Sequence, residues 1–348
     1  SLAEEIRRGR KGLPMNTAVA LKMKGKKPCQ TKVRHVVVGS LEFGYTADTF
    51  AATPAPGSVK TILAEAGRKG RYLSIGDISA AFPSTAINEE GVPIIPPKGM
   101  KPKPGDPGFE KVRNVKGKGL VLYLLKNLEG LSRAPKVYQE TVFRIMRNNE
   151  FVQSIADPCV WTKVFRDDQG EPIMRVVEVS PGVFESVQAD ICLVLHVDDY
   201  LCSSSVPTLE MNGLERPGGM AEEILEPMLQ PEGYVLKSEI VIRDGKSVSY
   251  FVGLEIRQSA DGFHVYVGVE GFVETLVRSV MGEDMEDEEW DTLTEQWSKQ
   301  RDLKVPMKPG LLLVPTEEGE KVYTKDEWPY RRVIGGTLWS LVVRLDVS

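Results

Sequence analysis

Residues 191–202, I-C-L-V-L-H-V-D-D-Y-L-C, set two adjacent carboxylates into an otherwise apolar run. The Val, Leu and Ile flanks read as strand, turn, strand, with Asp198 and Asp199 at the tip. Neighbouring carboxylates repel each other and resist desolvation, so a buried hairpin ending in two of them is costly unless a cation sits there. Asp-Asp is also ordinary turn chemistry. The pair gains weight from Asp77, because Y-L-S-I-G-D-I (72–78) reads as a strand ending in that carboxylate. Side chains alternate along a strand. Cys192, Val194, His196 and Asp198 therefore share one face, and Ile191, Leu193, Leu195 and Val197 the other. The all-apolar face is expected to pack on helices and the His196 face to look into a cleft; Asp199 falls in the turn, its direction open.

If Asp77 ends the neighbouring strand, three carboxylates converge. Oxygen-only ligands suit Mg²⁺, which keeps waters and binds one or two carboxylates together with substrate phosphates. Two such ions clamp the attacking and leaving oxygens of an in-line phosphoryl displacement, the chemistry of polymerases and some nucleases.

The 348 residues are enough for two domains or one elaborate one, and 41% apolar residues support an ordinary core. No stretch approaches the roughly 18 apolar residues of a membrane span. The charged start, S-L-A-E-E-I-R-R-G-R-K, has no signal-peptide pattern and no initiating Met, and the chain reads as a fragment of a longer product. Cys29, Cys159, Cys192 and Cys202 show neither C-x-x-C nor zinc-like His spacing. Cys192 and Cys202, in the hydrophobic hairpin, read as reduced core thiols, and an intracellular, reducing compartment fits. The net charge of −5 is uneven: residues 1–36 hold ten Lys/Arg against two Glu, and 283–295 hold eight Asp/Glu and no Lys/Arg. The basic arm suits phosphates or is a solvated tail; the acidic run reads as an exposed loop.

Along the chain, 33–38 reads as a short strand and 58–69 as a helix opened by Ser58 and closed by Gly70. Residues 91–119 form a long loop, 120–125 a strand, and Ala134-Pro135 opens a helix to about 148 with Tyr138, Val142 and Ile145 on one face. A polar insertion (166–189) precedes the Asp-Asp hairpin. Then follow a helix at 220–229, strands at 248–257 and 262–269, a helix at 270–281 stopped by Gly282, and a helical pattern at 330–344. Strands and helices mix without regular βαβ alternation, which predicts an α+β fold.

D-I-S-A-A-F (77–82) and H-V-D-D (196–199) resemble motifs A and C of a reverse transcriptase palm. The resemblance is closest to copia-type LTR retrotransposons and runs collinearly over about 32–347. K-V-R-H-V-V-V-G (32–39), D-T-F-A-A-T-P (48–54), L-K-N-L-E-G-L-S-R-A-P-K-V-Y (125–138), D-P-C-V-W (157–161), F-V-G-L-E-I (251–256), Y-R-R-V-I-G-G-T-L-W (330–339) and R-L-D-V (344–347) each match a motif of that family in order. The resemblance implies a right-hand polymerase of fingers, palm and thumb, with an antiparallel palm sheet packed on helices. Residues 1–31 would be a basic arm, 32–257 fingers and palm, and 258–348 a thumb or connection-like region leading toward an RNase H domain. It implies an RNA-directed DNA polymerase of a transposable element's Pol polyprotein, with RNA template, DNA primer or RNA–DNA hybrid and dNTPs as partners and no membrane. RNase H and integrase parts of the same polyprotein are expected, and the place of work is a cytoplasmic virus-like particle or the nucleus.

Position by position, the resemblance implies that Asp77 and Asp198 ligate two Mg²⁺ ions, or Mn²⁺, with Asp199 a weaker third ligand. Phe82 would be the aromatic gate that excludes a ribose 2′-OH; on composition alone it reads as core. The backbone of 78–82, including Ile78 and Ala81, would lie beside the triphosphate. Arg34 and Lys32 match the cations that hold its β- and γ-phosphates, and each reads also as a surface strand residue. Gly130 and the Ala134-Pro135 helix start match the region beneath the template–dNTP pair, and F-V-G-L-E-I the primer grip. Trp161, Trp290, Trp328 and Trp339 read as packing residues. The chain departs from the family at His196, Glu129 and Ser132-Arg133, where the family has Tyr, Tyr and Lys-Gln. An imidazole is smaller than a phenol and titratable but still donates a hydrogen bond. Two other readings stand beside the polymerase: a catalytically inactive retroelement relic that only binds nucleic acid, and a two-metal nuclease, which explains neither Phe82 nor the motif order.

Overall fold

The structure, a computed structural model, describes residues 13–24, 27–39, 49–79, 81–87, 92–95, 122–180, 182–209, 219–281, 292 and 295, without the side chains of 13–34, 122, 178–180 and 277–281. The 330–344 pattern, Gly282, Trp290, Trp328, Trp339 and most of the acidic run lie outside the described residues. The chain divides into two compact units, Ser1–Val252 with Arg257–Val265, and Gly253–Ile256 with Tyr266–Ser348.

The elements run β1 (Leu13–Lys24), β2 (Lys27–Val37), α1 (Pro56–Arg68), β3 (Tyr72–Ser79), α2 (Ala81–Ser84), β4 (Val92–Ile95) and β5 (Leu122–Leu124). They continue α3 (Ala134–Asn148), β6 (Val152–Gln153), β7 (Val160–Val164), β8 (Met174–Ser180), β9 (Val183–Gln188), β10 (Asp190–His196), β11 (Asp199–Ser204) and α4 (Gly219–Leu229). Last come β12 (Val235–Ile240), β13 (Ser249–Phe251), β14 (Leu254–Gln258), β15 (Val265–Gly268) and α5 (Glu270–Met281). The fold thus mixes helix with mainly antiparallel sheet.

Local chemistry accounts for most of the differences from expectation. Helix α1 begins at Pro56, ahead of Ser58: proline at the first turn lacks the N–H that a cap would have to satisfy, and Ser58 N–H donates instead to the Ala55 carbonyl at 2.9 Å. The expected strand at 248–257 breaks into β13 and β14 because Val252 and Gly253 turn the chain with φ of 50° and 79°. The expected long loop at 91–119 contains β4, and the expected polar insertion holds the β8–β9 ribbon. Met174, Val176 and Phe184 stand exposed on one face of this ribbon, while Val177 and Val187 pack inward.

In the first unit a six-stranded antiparallel sheet has the order β12-β3-β11-β10-β7-β6. Ile191, Leu193 and Leu195 on β10 meet Tyr138, Val142, Ile145 and Met146 of α3 and Met220, Leu225 and Leu229 of α4 in one buried cluster. The all-apolar face therefore packs on helices, each such side chain contributing about 1.5–3 kcal/mol by leaving water. The opposite face differs from the open cleft expected of it. Val194 and Leu201 are fully buried there, and α1 lies against β11, leaving the carboxylate end open and, at the other end, a cavity lined by Thr61, Ile62, Thr162, Cys192 and Ser203.

A smaller sheet, β2-β1-β4-β5, has its own buried cluster of Val37, Val92, Ile94, Leu131 and Ala134. Part of the basic N-terminal segment is thus the β1–β2 pair, and within this sheet β1 and β4 run parallel. At the far end of β3 from Asp77, Arg71 is buried. Its guanidinium donates to Ser203 Oγ at 2.9 Å and Ser203 O at 3.1 Å and pairs with Asp190, tying β3 to β10 and β11. In the second unit Glu255 accepts the Gly271 N–H at 2.6 Å, placing a negative charge in the first turn of α5.

Candidate active site at the end of the large sheet

The hairpin turn consists of Val197 and Asp198, since His196 and Asp199 form the last cross-strand pair of β10 and β11. A two-residue hairpin asks for positive φ at its first central residue. Val197 supplies it with φ 54°, a conformation that a β-branched residue adopts only under strain of about 1–3 kcal/mol. The tip is held in place by the Asp198 carbonyl, which accepts the Ile78 N–H at 2.6 Å.

Register then assembles the site. Asp199 pairs with Asp77 across β11 and β3, and Asp77 pairs with Lys237 across β3 and β12. His196, Asp199, Asp77 and Lys237 therefore form one row across four neighbouring strands, on the same face of the sheet. Directly opposed residues stand about 4.5–5.5 Å apart at Cβ, so the two carboxylates repel at close range. Alternation along β10 placed His196 on this face as expected. Asp198 belongs to the turn and is exposed, while Asp199 is the strand residue that faces Asp77. Asp77 is oriented by Ser79, whose hydroxyl donates to Oδ2 at 2.7 Å.

The electrostatics follow from this geometry. Burial first, then the Asp198 and Asp77 charges, raise the Asp199 carboxyl above its ordinary value, and His196 opposes them. The same three carboxylates add to burial in pushing the Tyr138 phenol well above its usual range, which puts Tyr138 within the field of the site. Among the described residues no group of three or more His, Cys, Asp or Glu side chains is arranged to hold a metal ion by itself. The donor chemistry fits Mg²⁺ all the same: the donors are carboxylate oxygens, one of them raised by burial and then by like charge, and this ion takes its remaining ligands from water and phosphate.

Of the other expected residues, Phe82 stands in α2, half-buried, where the cluster of the large sheet meets that of the small one. Ile78 and Ala81 are buried in the same core, so that only their backbone is available to a ligand, and the Ile78 N–H is already donated to Asp198. Arg34 and Lys32 occupy alternate positions of β2, opposite Ala18 and Ala20, and share one face of it; their side chains are outside the description. Gly130 meets the end of β2 backbone to backbone. It has φ 93°, and a Cβ there would stand 2.0 Å from the Val37 carbonyl oxygen.

Lys237 carries no clear signal in the sequence, because V-L-K-S-E-I lacks the regular apolar–polar alternation of a half-buried strand. Tyr138 reads in the sequence as an apolar-face residue, whereas its hydroxyl is buried without a hydrogen-bond partner among the described residues and its ring meets the Phe82 ring edge to face at 5.7 Å. Among the described residues no helix is long and apolar enough to cross a membrane. No protein-family model matches this chain, and no curated protein sequence matches it.

Proposed function

We propose that the chain is an RNA-directed DNA polymerase of the copia-type retrotransposon kind. On this reading the six-stranded sheet with α3 and α4 is the palm, and the smaller β1–β2–β4–β5 sheet belongs to the fingers. The observation that carries the reading is the row Asp199–Asp77 with Asp198 at the adjoining tip, together with Phe82 just beyond the end of β3. A motif pair separated by more than a hundred residues meets at one sheet end in the order the polymerase reading requires.

In the reaction, the primer 3′-oxygen attacks the α-phosphorus of a dNTP, a new P–O bond forms, and the bond to the β-phosphate oxygen breaks to release pyrophosphate. Asp77 and Asp198, with Asp199 third, would hold two Mg²⁺ ions, which when bound supply Lewis-acid activation and neutralise phosphate charge. Ser79 fixes the Asp77 carboxylate for that task. Lys237 brings a cation to the same row, and the family resemblance assigns Arg34 and Lys32 of β2 to the β- and γ-phosphates. Phe82 bars the ribose 2′-OH.

Primer extension on an RNA template with Mg²⁺ tests the assignment. The wild-type chain should extend the primer, and Asp198→Asn should lower the rate by at least about 10²–10³-fold, the scale of losing one group that stabilises transition-state charge. Extension no faster than that of the Asp198→Asn control would refute it, and RNA–DNA duplex binding retained in both would favour the inactive binding module.

A further inference from the structure

Three rings run back from Phe82 into the core. Phe82 and Tyr138 meet edge to face, with centroids 5.7 Å apart and planes at 78°. Tyr138 and Tyr234 repeat the arrangement at 5.9 Å and 73°. Both tyrosines are 2% exposed, so neither ring has solvent to move into. Edge-to-face pairs favour this geometry by about 0.5–1.5 kcal/mol beyond their burial, which gives each ring a preferred plane.

The two hydroxyls behave oppositely. Tyr234 O–H and Thr85 Oγ1 share a hydrogen bond at 2.8 Å, and Thr85 Oγ1 also donates to the Ala81 carbonyl at 2.8 Å. Ser84, in the same short helix α2, donates to the Gly233 carbonyl at 3.0 Å. The element that carries Phe82 is therefore fastened to Gly233-Tyr234, directly ahead of β12, through Ser84 and Thr85, the second and third residues after the ring. The Tyr138 hydroxyl, by contrast, is buried with no hydrogen-bond partner among the described residues. A buried phenol normally finds one. Burying the group without a partner costs about 1–3 kcal/mol relative to a ring with no hydroxyl. What Tyr138 contributes here is its ring.

We infer that Tyr138 and Tyr234 are positioning residues for sugar discrimination: the Tyr138 ring sets the plane of Phe82, and the Tyr234–Thr85 bond sets the height of α2. This rests on the polymerase reading and on Phe82 as its gate. A steric gate acts at contact distance, where displacement of about 1 Å by a change away from the chemistry alters rates up to about 10²-fold. Plain core residues would instead lower stability and slow both sugars alike.

The test compares kcat/KM for a dNTP and its matching rNTP on a primed RNA template, with thermal melts of each variant. Tyr138→Phe keeps the ring and should keep the dNTP preference with an unchanged or higher melting temperature. Tyr138→Leu should reduce the preference about tenfold, mainly through a lower KM for the rNTP, as a pocket changed by a side chain's width does. Tyr234→Phe, which removes only the tie to Thr85, should reduce it about threefold and keeps the test alive should Tyr138→Leu fail to fold. Equal losses for dNTP and rNTP in Tyr138→Leu and Tyr234→Phe overturn the positioning role while leaving the polymerase reading intact. An unchanged ratio in Phe82→Ala, with dNTP extension retained, overturns the gate and the inference with it. No extension by the wild-type chain overturns both readings together.

Discussion

Asp199 sits opposite Asp77 and next to Asp198, and this concentration of charge makes it the residue whose neutralisation is most readable. Its carboxyl is raised by burial and by both neighbours. The folded state thus binds the proton more tightly than the unfolded chain does. The resulting stability is fully present below the ordinary carboxyl value of about 3.9 and is lost as pH rises through the raised folded value. Asp199→Asn should therefore raise the melting temperature at pH 7 in Mg²⁺-free buffer and change it little at pH 3. Relief of one opposed like-charge pair is about 0.5–1 kcal/mol, or about 2 °C for a domain of this size. Added Mg²⁺ should then stabilise the wild type more than the variant, because binding to the folded state alone shifts the melt. An Asn variant that melts lower at pH 7, or gains as much from Mg²⁺, would count against a shared cation site. The sequence announced these carboxylates because acidic residues in an apolar run are conspicuous on any reading. It did not reveal which of the pair faces Asp77, since that depends on where the turn ends.

Among the elements, β3 is the strand on which the site depends, and Gly76 shows why its sequence is so restricted. Gly76 pairs with Tyr200 on β11 and Ser238 on β12. The Tyr200 ring crosses the place where a side chain would stand, and its hydroxyl contacts Ser238 Oγ. A Cβ on Gly76 would lie 2.4 Å from the Tyr200 ring and from the Lys237 carbonyl oxygen. Gly76→Ala should cost about 3 kcal/mol by overpacking, read as a lower denaturant midpoint. Gly57→Ala in α1 is the contrast: a Cβ there meets nothing within 4 Å, and the change should be neutral or stabilise by up to about 1 kcal/mol. Equal effects at the two positions would dismiss the crowding argument. Helices α1, α3, α4 and α5 were legible to within a few residues, because apolar period and terminal Pro, Ser and Gly are local signals, whereas the short α2 that carries Phe82 was not. Tyr138, Val142 and Ile145 are indeed buried together on α3. β12 was not legible: its exposed edge weakens the apolar alternation, and its place beside β3 is decided by partners far away in the chain.

For the molecule as a whole, the cysteines report how tightly the core is closed. Cys159, Cys192 and Cys202 are free thiols. Burial pushes Cys159 and Cys202 up to about 12 and Cys192 to about 11. These groups favour the folded state in full below the ordinary thiol value of about 8.5, and that contribution disappears as pH rises toward 11–12. The denaturation midpoint should fall between pH 8.5 and 10.5. At pH 8 a thiol reagent should label Cys159 and Cys202 only after denaturant is added, as peptide mapping can show. Stoichiometric labelling of either in the native protein would mean that the core opens readily.

By itself the amino-acid order determined the apolar hairpin that carries the Asp pair, the strand that carries Asp77, the four longer helices with the buried face of α3, and the mixed helix-and-sheet character. Each of these is written in residues within a few positions of one another, where alternation, helical period, proline and glycine act directly. Tertiary structure alone decided the rest. It set Asp199 rather than Asp198 opposite Asp77, brought Lys237 into the same row, laid α1 against β11 on the His196 face, and set Tyr138 and Tyr234 edge to face behind Phe82. Those outcomes depend on the register between strands distant in sequence and on which faces meet, and a one-residue slip would turn every side chain of a strand to the other side.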